Sequence, residues 1–225
     1  MKGSVFFLAI IVLIAVSFFL RIPQNFIKKV PGFSKPGLCT RTKPYLFEPE
    51  FERAISLIIQ RLNQGTNQTY LDENFQSIKN CLYVSYSSDV DKYDAEGLFY
   101  FDEKSTKNKL NILVSNKYRA NDDILTAMLL THEISHAYDF VRDTQNTCYE
   151  QEAEAFYNQG IFFSNLNKAE KDSIIARSIV GESSEISGWF EIMKQVVNLK
   201  DYSAYDAHLR IVQSNPYYQK QCARN

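Results

Sequence analysis

Histidine is scarce in this 225-residue chain: it has three, so any imidazole chemistry must be built from His132, His136 and His208. An excess of positive charge is also missing. Lys and Arg number 25 against 26 Asp and Glu, for a net charge of −1, and no basic stripe stands out. Electrostatics therefore gives no reason to expect nucleic acid as a partner. None of the four cysteines stands in a CxxC pair, which argues against a structural zinc site. Internal repeats and low-complexity runs are absent, which excludes repeat architectures.

Aromatic side chains are plentiful, with 14 Tyr and 16 Phe. Much of this content falls in helical patterns, so core packing is its ordinary use. One long apolar run exists. From Val5 to Leu20 only Ser17 is polar, with Lys2 before the run and Arg21 after it. That pattern predicts a signal anchor or a signal peptide at residues 1–22. Lys28, Lys29 and Lys35 add positive charge after the run, which by itself would keep the rest of the chain in the cytoplasm. The widely spaced Cys39, Cys81, Cys148 and Cys222 point the other way, toward two disulfides in an oxidising compartment. Asn67-Gln68-Thr69 is also a glycosylation sequon. The expectation is a membrane-anchored protein with an extracytoplasmic folded domain, a secreted protein being the alternative.

Pro23, Pro31, Pro36 and Pro44, with Gly32 and Gly37, mark residues 23–46 as an extended tether. The folded part is expected at residues 47–225. Phe51, Ile55, Ile58 and Leu62 repeat at helical spacing, and the helix should stop near Gly65. Cys81–Ser87 alternates as a strand does; Leu98–Phe101 and Leu110–Val114 read as two more, joined by a hairpin turn over Asp102–Lys109. A helix capped by Asn121 should run to Arg142, followed by helices at Tyr149–Phe163, Lys168–Val180, Glu185–Leu199 and Tyr202–Val212. The predicted fold class is α+β, a small domain of short sheet, central helix and helical C-terminal part, behind an N-terminal membrane segment; the HExxH motif at His132–His136 makes the expected domain a zincin-like one.

The chemistry is concentrated in His132-Glu133-Ile134-Ser135-His136, a match to the HExxH pattern of zinc peptidases. Helical spacing puts both imidazoles on one face, within reach of one Zn2+ ion. Glu133, one residue after His132, can address a water on that ion without ligating it. A catalytic zinc needs a third protein ligand and an open position. If the third ligand were a histidine six residues after His136, it would stand at position 142, which is Arg142. The acidic run Glu150-Gln151-Glu152-Ala153-Glu154 offers a carboxylate instead. Glu150 and Glu154 share a helix face and Glu152 points elsewhere. Glu150 is therefore the expected ligand, with Glu154 holding an imidazole from behind; the reverse choice stays open.

Glu150 to Phe156 resembles the ExxA(D/E)A segment of gluzincins, which membrane-bound prenyl-protein peptidases also carry. His132 to Asp139, HEISHAYD, is similar to the HExxHxxD motif of the mitochondrial inner-membrane peptidases that process an ATP synthase subunit, in which a cysteine also stands two residues before the later glutamate, as Cys148 stands before Glu150. The resemblance covers roughly residues 110–157. It implies a metalloendopeptidase acting on a protein or peptide substrate, and it adds the mitochondrial inner membrane as a location. The implied mechanism is attack by zinc-activated water with Glu133 as general base. Tyr157 and His208 are candidate donors to the developing oxyanion, and Asp139 could orient an imidazole. The strand Leu110–Val114 would be the edge on which extended substrate pairs. Two other readings remain open: a non-catalytic binding protein on a peptidase scaffold, and a metal-dependent hydrolase of a non-peptide substrate.

Overall fold

Apolar spacing at i, i+4 and i+7 becomes a buried helix face in the computed structural model, which describes residues 39–64, 75, 78–93, 95–101, 109–120, 122–142, 145–180 and 205–223. Helix α1, Pro49–Gln64, buries Phe51, Ala54, Ile55 and Ile58. Strands β1 (Leu82–Tyr86), β2 (Gly97–Tyr100) and β3 (Leu110–Val114) form one sheet in the order β1-β3-β2. β1 runs parallel to β3 from Leu82 opposite Leu110, and β2 runs antiparallel to β3 with Leu98 opposite Leu113. β3 is the central strand, and Leu110, Ile112 and Val114 are fully buried, as a strand flanked on both sides requires. The edge beside the site is β2, not Leu110–Val114, which corrects the expectation for that strand.

Helix α2, Asp123–Arg142, carries the HExxH residues. Asp122 starts it: Oδ1 accepts from the N–H groups of Ile124 at 3.1 Å and Leu125 at 2.9 Å. The expected cap Asn121 lies outside the described residues. α2 is buried on nearly every side, from Leu125 through Val141. A helix enclosed this way must satisfy its polar side chains internally. Thr131 and Ser135 donate back to the carbonyls of Ala127 and Thr131, both at 2.8 Å.

Helix α3, Cys148–Ser164, packs against α2 through polar ties as well as apolar ones. Asn158 Nδ2 donates to Ser135 Oγ at 3.0 Å, and Gln159 Nε2 donates to the Met128 carbonyl at 3.0 Å. Helices α4 (Lys168–Val180), α5 (Tyr205–Ser214) and α6 (Pro216–Cys222) complete the described chain. Sequence periodicity missed α6, which is seven residues long and too short to show a helical period. The expected helix at residues 185–199 and the turn at 102–108 lie outside the described residues.

Disulfides join Cys39 to Cys81 and Cys148 to Cys222, and no free cysteine remains. They suggest an oxidising, extracytoplasmic environment. Each closes a long loop, worth about 4 kcal/mol in unfolded-chain entropy. The fold-class expectation needs correction. The structure is α+β with a small three-stranded sheet, and among the described residues no helix is long and apolar enough to cross a membrane. Even α2, at 20 residues, carries Asp123, Glu133, Asp139 and Arg142 along its length. The signal-anchor expectation for residues 1–22 lies outside the described residues.

Candidate metal centre

Three side chains from two helices meet at one point: His132 and His136 on α2, and Glu152 on α3. The two Nε2 atoms are 3.1 Å apart. His132 Nε2 lies 3.3 Å from Glu152 Oε2, and His136 Nε2 lies 3.8 Å from Glu152 Oε1. A tetrahedral ion with bonds of about 2.0–2.1 Å sets adjacent donors about 3.3 Å apart. Each imidazole nitrogen thus lies within about half an ångström of that spacing from one or other oxygen of Glu152, and the chemistry of the set, two imidazoles and a carboxylate, fits a divalent ion. A His-His-Glu group able to bind one metal ion is present.

The electrostatics of the group are set by burial. Burial pulls the His132 imidazole down, but the hydrogen bond and charge of Glu152, with the charge of Glu133, outweigh it and leave it raised. His136 is lowered to about 4, chiefly by burial, with Glu152 opposing and His132 reinforcing the shift. The two rings move in opposite directions because Glu152 and Glu133 outweigh burial at His132, whereas burial dominates at His136. Burial would raise Glu152, yet the charges of His136 and His132, and hydrogen bonds from His132 and Gln221, hold it below the ordinary carboxylate range. It is already in the ionised form that a ligand needs.

The ligand expected at Glu150 is corrected to Glu152. Glu150 folds back on the start of its own helix: Oε2 accepts from Thr147 N–H at 2.7 Å and Thr147 Oγ1 at 2.8 Å, while Thr147 Oγ1 accepts from Glu150 N–H. This is a reciprocal capping box, and it commits the carboxylate locally. The sequence carried that signal as Thr147-x-x-Glu150. The α3 face that meets the imidazoles is the one bearing Glu152, Phe156 and Gln159. Phe156 stacks edge-on to His132 at 4.8 Å between centroids, and Gln159 also favours the charged form of His132.

Glu154, expected behind an imidazole, instead accepts from Asn146 Nδ2 at 3.3 Å and lies in the field of Arg142. Asp139 belongs to the same cluster; burial, then the Glu154 charge, raise its carboxyl to about 8, with Arg142 and Asn146 opposing. Tyr157 and His208 pack on each other, edge to face, with ring centroids 5.4 Å apart. Tyr157 comes directly after Phe156 in α3 and so leaves the helix in a different direction, toward α5.

Glu133 is 5% exposed and its carboxyl is raised to about 7, mainly by burial. The His132 charge and the Phe99 backbone N–H oppose that rise, and the Glu152 charge adds to it. β2 passes so near that a Cβ at Gly97 would stand 2.6 Å from Glu133 Oε1 and 2.8 Å from its Cγ. Gly97 is thus needed for close approach, a role that sequence reading did not find. Two residues of α6 also reach the site unforeseen. Gln221 Nε2 donates to Glu152 Oε1 at 3.2 Å. Tyr218 packs on Phe156, and its hydroxyl is held well above the ordinary tyrosine range by burial and then by the Glu152 charge, with Tyr217, Glu133 and Glu96 adding to it. None of the protein-family models matches the chain, and neither a curated protein nor a solved structure matches it.

Proposed function

We propose that the protein is a zinc-dependent metallopeptidase. The observation that carries this reading is the convergence of His132, His136 and Glu152 on one point, with the buried Glu133 beside them. A zinc ion held by those three groups would supply Lewis acidity toward a scissile carbonyl and make water acidic enough to act as a nucleophile near neutral pH. The remaining work belongs to the chain. Glu133, with its carboxyl near 7, is matched to accept a proton from the attacking water and return it to the leaving amine. The Phe99 N–H orients that carboxylate from β2, and Gly97 clears the space it occupies. β2 is a sheet edge next to Glu133, suited to pairing with an extended peptide.

Replacing Glu133 with Gln keeps the shape and removes the base. The variant is expected to hold about one zinc per chain while peptide turnover falls about 10²- to 10⁴-fold. Turnover of a fluorogenic peptide, with a chelator control, measures this. Undiminished turnover in a pure preparation would remove Glu133 from the mechanism, and with it the peptidase reading.

A further inference from the structure

We propose that α6 is part of the metal site, with Gln221 a positioning residue that holds Glu152 for the ion; this rests on the reading of His132, His136 and Glu152 as metal ligands. α6 has no fully buried residue, so apolar burial alone does not hold its seven residues in place. Three contacts hold it to α3. Cys222 is bonded to Cys148, Tyr218 packs on Phe156 with centroids 5.5 Å apart, and Gln221 donates to Glu152. Cys148 lies one helical turn before Glu152 on α3, so bonding Cys222 to it brings the adjacent Gln221 to the carboxylate.

The contact is specific in its chemistry. Gln221 Nε2 binds Oε1, the oxygen nearer His136, and Oε2 faces His132. One amide donor therefore fixes the rotation of the carboxylate. A group of this kind, behind a ligand, is ordinarily worth about 10- to 100-fold in metal affinity. Gln221 is not one of the three ligands, so its hydrogen bond to the carboxylate is compatible with Glu152 binding an ion.

Calorimetric titration of Zn2+ into the full metal-stripped chain tests this, with Co2+ absorption at saturation as a second readout. Gln221→Ala is expected to weaken zinc binding about 10- to 100-fold, to change the Co2+ bands, and to leave the metal-free unfolding midpoint near that of the wild type. Cys148→Ala/Cys222→Ala, which releases the end of α6, is expected to lose at least as much. Should that pair not fold, Gln221→Ala keeps both disulfides and decides the matter alone. Wild-type zinc affinity with unchanged Co2+ bands in Gln221→Ala would overturn the inference and leave the metal site standing. A wild-type chain that takes up no zinc would overturn both.

Discussion

Two acidic clusters lie between α2 and α3, and they differ in what surrounds their carboxylates. In one, Glu152 faces His132 and His136; in the other, Glu154 and Asp139 face each other with Arg142 and Asn146 alongside. Burial pushes every one of these carboxyls up. Only Glu152 ends below its ordinary range, because two imidazoles and the Gln221 amide outweigh its burial, whereas Asp139 meets the charge of Glu154 and burial at Glu154 outweighs Arg142 and Asn146. Charge count along the α2–α3 seam thus says little about where a cation binds; the partners of each oxygen decide it.

The sharpest way to break the comparison is to exchange which glutamate is lost. Glu152→Ala removes one of three donors and should weaken zinc binding by more than the roughly 10- to 100-fold that an outer partner is worth. Glu154→Ala should bind one zinc with affinity close to that of the wild type. Equilibrium dialysis of the two variants against metal separates them. Equal losses would mean that the seam binds metal as a diffuse acidic patch.

A smaller effect distinguishes the second cluster. A buried carboxyl with a raised pKa supports the fold while it is protonated. Asp139 contributes most below its unfolded value and loses that contribution as pH rises through about 8. The wild-type unfolding midpoint should therefore fall between pH 7 and pH 9. Asp139→Asn removes the charge that Glu154 opposes, so its midpoint should fall less over that range. Thermal scans at both pH values read the difference, and parallel curves for the two proteins would detach Asp139 from the alkaline loss.

How much of this was legible in the sequence depends on the range of each signal. The three strands, α2 and α3 lay close to where periodicity put them, because a buried face repeats within one element. His132, Glu133 and His136 were legible for the same reason: one helix supplies all three. Glu152 depends on the angle at which a second helix docks, and spacing along the chain does not encode that angle. Gly97 and Gln221 are further removed, since each matters through one contact made across tens of residues. Leu110–Val114 precedes α2 in the chain and so reads as the edge strand, but sheet order places β2 outside it.

The smallest expected effect concerns the residue that sequence reasoning favoured. If Glu150 serves only the helix start, Thr147→Ala should cost about 1 kcal/mol, and Glu150→Ala no more than that. In a chain of this size such a loss lowers the unfolding midpoint by roughly 2–4 °C. Zinc affinity should stay unchanged in both, because the capping box lies at the first turn of α3 and Glu152 is held from α2 and α6 as well. A Glu150→Ala variant that lost metal while Thr147→Ala kept it would make Glu150 a ligand after all. Its carboxylate would then have to leave two hydrogen bonds at 2.7 and 2.8 Å to reach the imidazoles, and Thr147 would be freed in the same step. Metal addition to the wild type would in that case loosen the start of α3, seen as faster amide exchange there, whereas a Glu152 site leaves that exchange untouched.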